Sequence, residues 1–155
     1  MKPVLYLRIA SILALIHSAL HTIGGVFGKP LPGTATAVAA TMRTPFEVFG
    51  VMRSYADFYR GLGLAITIFL TMDAVILWLL ASMAKSDATR LRPILGVFLI
   101  GYLALAVNSY TFIFSGPVIN ELLIVLCLGA AIFTAKRADK HAEPGTQPQM
   151  KTAQL

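Results

Sequence analysis

The feature that most constrains this chain is the apolar run of residues 3–27, which contains two histidines, His17 and His21. A helix of about 20 residues, rising about 1.5 Å per residue, crosses the hydrocarbon core of a bilayer, and this run reaches that length. A histidine is costly to bury in lipid, and side chains four residues apart lie on the same face of a helix. We therefore expect this face to contact protein, water or a ligand rather than acyl chains.

Three further apolar runs, at residues 58–83, 93–112 and 118–134, are also long enough to span a membrane. With the first run, taken as residues 4–27, they account for most of the 155 residues. Only 13% of the residues are charged, whereas a soluble domain carries about a quarter. The sequence therefore predicts an all-α, four-transmembrane-helix bundle that forms a single domain over residues 1–135. The polar tail of residues 136–155 is too poor in apolar surface to fold alone, and we expect it to be disordered.

The long connection between the first two runs, residues 28–55, is not apolar enough to cross a membrane. Its alanine-rich and threonine-rich stretch at residues 34–42 predicts a short helix. The sequence Thr44-Pro45-Phe46-Glu47 then matches a helix capping box, with Thr44 as the N-cap residue and Glu47 reaching back. We therefore expect a short helical cap on the outer side of the bundle.

The basic residues occur in short clusters at the ends of the apolar runs, and this placement indicates membrane topology rather than nucleic-acid binding. Cytoplasmic segments of membrane proteins carry an excess of lysine and arginine. If the N-terminus is inside, nine basic residues face the cytoplasm and four face outward. We therefore expect both termini in the cytoplasm. The inner set is Lys2, Arg8, Lys85, Arg90, Arg92, Lys136, Arg137, Lys140 and Lys151, and the outer set is Lys29, Arg43, Arg53 and Arg60.

All four predicted helices bring polar residues to the outer end of the bundle. In the first helix His17 lies about 20 Å from the cytoplasmic end, and His21 lies about 6 Å further out. The other helices place polar side chains where they begin or end on that side. Because polar groups at membrane depth tend to line cavities, we expect a ligand pocket near the outer leaflet. Its predicted lining residues are His17, His21, Asp57, Tyr59, Arg60, Asn108, Tyr110, Asn120 and Glu121.

The two histidines admit three interpretations. Each can hydrogen-bond a neighbouring helix and hold the bundle together. They can line a pocket for a lipophilic ligand or take part in catalysis. They can also bind metal, because two imidazoles at positions i and i+4 can chelate one ion with Glu121 or Asp57 as an oxygen ligand. One histidine can instead ligate a haem, but the pair cannot supply both axial ligands.

The acidic residues of the apolar runs also have alternative roles. Glu121 at a helix start is favoured by the helix dipole, or it forms an acid–base pair with one of the histidines. Asp57 and Arg60, three residues apart, are expected to pair with each other or to bind a polar headgroup. Asp73 lies about 24 Å along the helix from Asp57 and is expected near the inner surface, where it reaches the interface, pairs with Arg8 or a basic residue of the inner loop, or relays protons.

The segments His21-Thr22-Ile23-Gly24-Gly25 and Arg53-Ser54-Tyr55-Ala56-Asp57-Phe58-Tyr59-Arg60-Gly61-Leu62-Gly63-Leu64 resemble a family of small bacterial four-span membrane proteins without an established activity. In length and number of spans the chain also resembles the DoxX-type membrane proteins. The resemblance covers residues from about 5 to 134. It implies a multi-pass protein of the bacterial inner membrane and carries no activity over to this chain.

The sequence therefore predicts a non-enzymatic membrane subunit or lipophile-binding module, whose partners are the lipid bilayer, a lipophilic small molecule, and a second copy or another membrane subunit. No cofactor and no nucleic-acid partner is predicted. One alternative is a membrane enzyme acting on a lipid or quinone-like substrate, with His21 and Glu121 as the catalytic candidates that exchange a proton. A second alternative is metal or haem binding through His17 or His21.

Overall fold

The structure of the protein, a computed structural model, describes residues 2–135. Helix takes up 82% of these residues, so the all-α prediction is confirmed apart from one small hairpin. The predicted tail of residues 136–155 lies outside the described residues. In chain order the elements are α1 (Lys2–Leu20), a π-helical segment (His21–Val26), α2 (Thr34–Thr41), β1 (Phe46–Val48), β2 (Val51–Arg53), α3 (Tyr55–Asp87), a 3₁₀ turn (Thr89–Leu91), α4 (Arg92–Phe112) and α5 (Ser115–Thr134).

Four helical segments are long and apolar enough to cross a membrane, as the sequence predicts: Lys2–Val26, Tyr55–Asp87, Thr89–Phe112 and Ser115–Thr134. The second is longer than the apolar run within it because a capping box starts it early. The Ser54 hydroxyl accepts a hydrogen bond from the Asp57 amide at 3.3 Å, and the Asp57 carboxylate accepts one from the Ser54 amide at 2.9 Å.

The four long helices are antiparallel to their neighbours, and their packing order differs from their chain order. Helix α1 packs between α3 and α5, and α4 packs on the other side of α5. Helices α3 and α4 approach each other mainly at the 3₁₀ turn that joins them. We call the end of the bundle with this turn and the start of α1 the terminal end. The opposite end, where α1 stops and α3 begins, is the loop end.

The interior of the terminal end is apolar. Large side chains from all four helices meet there, and each is at most 1% exposed: Leu7, Leu77, Leu95, Ile124 and Leu128. Such side chains interdigitate closely, and a buried residue of this kind contacts many others. This half of the bundle is therefore a packed apolar plug.

The contact between α1 and α3 is a seam of hydroxyl hydrogen bonds. The Ser11 hydroxyl donates to the Ala74 carbonyl at 2.6 Å. The Ser18 hydroxyl donates to the carbonyl of Thr67 at 3.1 Å and lies 2.8 Å from the Thr71 hydroxyl. Small side chains and interhelical hydrogen bonds are what hold apolar helices together where lipid replaces water.

The first loop folds differently from the prediction. A helix does form at Thr34–Thr41, but the segment after Thr44 is a β-hairpin rather than a second helix. Its two strands pair in antiparallel register, from Phe46 with Arg53 to Val48 with Val51. The turn residues Phe49 and Gly50 have φ angles of 48° and 82°, the positive values that a tight two-residue hairpin turn needs. Helix α2 has no buried residue, so a helical cap over the bundle is not what this loop shows.

Candidate functional site

A buried polar cluster occupies the loop-end half of the bundle, and Glu121 is its centre. The Glu121 side chain is 0% exposed although it carries a carboxylate. Helix α4 supplies its hydrogen-bond donor, because the Ser109 hydroxyl donates to Glu121 Oε1 at 2.8 Å. Ser109 is itself buried, at 4% exposure. The cluster therefore has an ionisable group in the interior of a bundle whose helices are long and apolar enough to cross a membrane. Such groups are rare within membrane spans and commonly functional there.

Helix α1 brings His17 against the same carboxylate. His17 is 8% exposed, and its Nε2 atom lies 3.7 Å from Glu121 Oε1. This distance is too long for a hydrogen bond, so Ser109 remains the donor to Oε1. The sequence prediction that Glu121 lies beside one of the two histidines agrees with this geometry, and the neighbour is His17 rather than His21.

Three buried polar atoms of this cluster have no hydrogen-bond partner among the described residues: His17 Nδ1, Tyr102 Oη and Glu121 Oε2. Buried polar atoms are nearly always paired, and each unpaired one costs about 1–3 kcal/mol. These three atoms belong to three different helices, α1, α4 and α5. The arrangement can accept and donate hydrogen bonds to a small group placed between them.

Tyr102 and Asp73 extend the cluster toward the middle of the bundle. Tyr102 is 3% exposed, halfway along α4, and its hydroxyl lies near the Asp73 carboxylate of α3. The prediction that Asp73 pairs with Arg8 near the inner surface is wrong. The Arg8 guanidinium instead donates to the Ser82 hydroxyl at 2.9 Å and stacks 3.4 Å above the Trp78 ring. Because α3 is 33 residues long, Asp73 falls near its midpoint.

Asn120 has a structural contact beside the cluster. Its side-chain amide donates to the Leu13 backbone carbonyl at 3.1 Å, which ties the start of α5 to α1. An interhelical hydrogen bond of this kind holds neighbouring helices together where lipid replaces water. The bond positions Glu121, the next residue, toward the interior.

His21 has a different role from His17. Its Nε2 atom lies 3.0 Å from the Gly63 carbonyl, which accepts the hydrogen bond, so His21 joins the π-helical end of α1 to α3. The two histidines thus contact different helices: His17 contacts α5, and His21 contacts α3. Among residues 2–135 no group of three or more His, Cys, Asp or Glu side chains is arranged to hold a metal ion. In the observed arrangement the pair connects α1 to two different helices.

The remaining predicted pocket residues lie outside the cluster. Asp57 caps α3 through Ser54, and the predicted ion pair between Asp57 and Arg60 is not among the salt bridges of the described residues. Both hydrogen bonds that Ser54 donates to Asp57 are accepted by one oxygen of the carboxylate, Oδ2. The other four side chains are exposed at the helix ends or on outer faces: Tyr59, Arg60, Asn108 and Tyr110. Of the nine predicted pocket residues, the structure therefore places three in or beside the cluster: His17, Glu121 and Asn120.

Two residues of the cluster, Tyr102 and Ser109, were not predicted as site residues, although a sequence signal for them exists. With Ala106 they recur at spacings of four and three, which places all three on one face of α4. That face is the buried one. A tyrosine and a serine on the inward stripe of an otherwise apolar helix would have marked the site.

A groove of about 340 Å³ lies elsewhere, between α2 and the start of α3. Its lining is mostly apolar and contains no charged side chain: Thr34, Ala37, Val38, Thr41, Met42 and Tyr55. It includes none of the predicted pocket residues. Because polar groups with unmet hydrogen bonds occur in the bundle interior instead, we take the His17–Glu121 cluster as the candidate site.

No family model, no curated protein and no solved structure matches this chain. The resemblance to small bacterial four-span proteins and to DoxX-type proteins therefore stays a prediction.

Proposed function

We propose that this protein is a non-enzymatic, multi-pass module of the bacterial inner membrane that binds a lipophilic small molecule. The apolar tail of the molecule lies among the helices, and its polar head contacts Glu121, Ser109 and His17. Four apolar helices of spanning length support the membrane placement. The buried Glu121 carboxylate with an unpartnered oxygen supports the polar contact.

The observation that carries this proposal is that three helices each bury a polar atom without a partner among the described residues: His17 Nδ1, Tyr102 Oη and Glu121 Oε2. Replacing these residues by apolar ones of similar size would remove the cost of burying them unpaired. A bundle that needed only stability would therefore do better without them. Binding a ligand whose polar head hydrogen-bonds to these atoms would explain why the three residues are present.

The packing of the terminal end favours binding over transport. Below the cluster, Leu7, Leu77, Leu95 and Leu128 fill the interior, and each is at most 1% exposed. A transport path needs polar groups or water along its whole length. The polar region instead ends against this plug, as a binding site with a closed bottom does.

Native mass spectrometry of gently extracted protein tests the proposal. We expect a stoichiometric extra mass on the wild-type chain that Glu121→Gln removes while the variant keeps its helical content. The matched control is His21→Ala, which should keep the extra mass and lower the melting temperature, because His21 bonds Gly63 outside the cluster. Wild-type protein without any bound mass, or an equal mass on Glu121→Gln, would contradict the proposal.

The 3.7 Å separation of His17 and Glu121 favours one alternative function, a membrane enzyme acting on a lipid or quinone-like substrate. A histidine and a carboxylate at this distance can exchange a proton through a bound substrate. His17 then takes the part that the sequence assigned to His21. Conversion of a component of a membrane lipid extract should stop in both His17→Ala and Glu121→Gln, with the component still bound. Conversion that survives both substitutions would eliminate this alternative.

Nine basic residues on one side against four on the other support a topology with both termini in the cytoplasm and the first loop outside. Single cysteines at Thr36 and Lys85, in a Cys127→Ala background, test it with an impermeant thiol reagent. In intact cells we expect labelling at position 36 and none at position 85 until the membrane is permeabilised. The reverse pattern would overturn this orientation.

A further inference from the structure

We infer that the ligand of the His17–Glu121 site is a lipophilic cation, an organic amine that is protonated and carries an apolar tail. This inference rests on the proposed binding function and adds the charge and the hydrogen-bonding character of the ligand head. It follows from three properties of the site: its charge, the acceptor character of its unpartnered atoms, and the open seam beside it.

The site contains two acidic side chains, Asp73 and Glu121, and no lysine or arginine paired with them among the described residues. The arginine within α1, Arg8, is held at the terminal end by Ser82 and Trp78. A buried carboxylate without a cationic partner is strongly unfavourable. A cationic ligand compensates this charge, whereas a phosphate, sulfate or carboxylate head is repelled by it.

The unpartnered atoms call for a ligand that donates hydrogen bonds. A carboxylate oxygen such as Glu121 Oε2 only accepts. A neutral His17 that carries its proton on Nε2, the nitrogen facing Glu121, has an acceptor at Nδ1. The Tyr102 hydroxyl can donate or accept. A protonated primary amine has three N–H donors on one charged centre, so it can donate to both acceptors.

The seam between α3 and α4 gives such a ligand a lateral route from the bilayer. Toward the loop end α3 packs on α1 and α4 packs on α5, and the two do not pack closely against each other. Asp73 and Tyr102 lie on the two sides of this seam. An apolar tail left in the seam contacts aliphatic side chains and lipid, as a lipophilic molecule does.

Three compounds with the same chain and different head groups test the inference: n-octylammonium, n-octanol and n-octanoate. Each is titrated into the purified full-length protein in a neutral maltoside detergent, and both the melting temperature and the 1:1 adduct in native mass spectra are followed. We expect octylammonium to raise the melting temperature and to form the adduct, with octanol weaker and octanoate without effect. In Glu121→Gln the affinity for octylammonium should fall about tenfold or more, since a charge-assisted hydrogen bond is lost. Asp87→Asn, a change at the terminal end of α3 that removes the ion pair with Arg90, is the matched control and should bind as the wild type does.

The comparison of the three compounds on the wild-type protein decides the inference even if a variant folds poorly. Equal or stronger binding of octanoate would overturn the cationic ligand, as would octylammonium binding that neither Glu121→Gln nor Asp73→Asn weakens. A neutral or anionic mass that co-purifies with the wild type and is absent from Glu121→Gln would uphold the proposed binding function and reject the cation. Absence of both the co-purifying mass and any octyl adduct would reject both.

Discussion

The two halves of the bundle interior are built on opposite principles. The terminal end is filled by Leu7, Leu77, Leu95 and Leu128, each at most 1% exposed and surrounded by other apolar side chains. The loop end contains buried polar side chains, including the Glu121 carboxylate with an oxygen that has no partner among residues 2–135. The unpartnered atoms of the terminal end, Arg8 Nη1 and Thr89 Oγ1, belong to residues outside its apolar core. The same four helices pass through both halves.

The difference shows which half of the bundle is packed for stability and which half contains groups that lower it. Close apolar packing gives a single well-ordered arrangement, and the terminal end has it. Unpaired buried polar groups lower stability, so their presence on three separate helices is informative. Natural sequences break such local rules chiefly at functional sites. The loop end is therefore the half to test for ligands, and the terminal end is the half to test for folding.

The largest expected effect separates the two halves directly. Leu128→Ala in the apolar half should lower the free energy of unfolding by about 2–5 kcal/mol, because it opens a cavity in a plug that cannot collapse. Glu121→Gln in the polar half should change it by less than half of that. Unfolding in detergent followed by circular dichroism measures both. An equal loss in the two variants would mean that the polar cluster is part of the folding core.

A second, smaller effect concerns the close contact between Gly63 of α3 and Val26 at the loop end. A methyl group added at Gly63 would come within 2.9 Å of Val26 Cγ2, so Gly63→Ala should force α1 from α3 and weaken the His21 hydrogen bond. We expect a loss of about 1–3 kcal/mol. Gly61→Ala is the matched control, because its added carbon meets nothing within 4 Å. The thermal melts of the two variants should differ, and equal melting temperatures would refute the close contact.

The smallest effect tests the hydrogen bond that orients Glu121. Ser109→Ala removes the donor to Glu121 Oε1 and should cost about 1–2 kcal/mol, together with weaker binding of any Glu121-dependent ligand. Thr111→Ala, two residues on, removes a hydroxyl that only bonds back to the Val107 carbonyl on the exposed surface. The control should be close to neutral in both measurements. If Ser109→Ala is also neutral in both, Ser109 does not position the carboxylate.

The helices of this fold could be predicted from the sequence, because their signal is the length and the apolar character of each run. The hairpin of the first loop could not. Its turn is Phe49-Gly50, whereas the common signal for such a turn is asparagine or aspartate before glycine, and the Thr44 capping pattern pointed to a helix instead. A weak local pattern was overruled by strand pairing and by the contact of the Phe46 ring with Tyr55 at 4.9 Å.

The candidate site could be predicted only in part. Counting residues along each helix gave the depth of His17 and Glu121 and placed both at the same end of the bundle. It did not give the rotation of each helix about its axis, which decides that His17 faces α5 while His21 faces α3. It also could not show that Asn108 and Tyr110 lie on the exposed side of α4 while Ser109, between them, faces inward.

The length of α3 has a mechanical consequence. With 33 residues it measures about 50 Å, whereas α4 and α5, with 21 and 20 residues, measure about 30 Å, close to the thickness of a bilayer core. Its far end is level with the start of α4, so the surplus projects from the loop end. The β-hairpin immediately precedes the first turn of α3. A force applied at the exposed Phe49 tip thus acts on one end of a long helix whose middle, at Asp73, lies beside Tyr102.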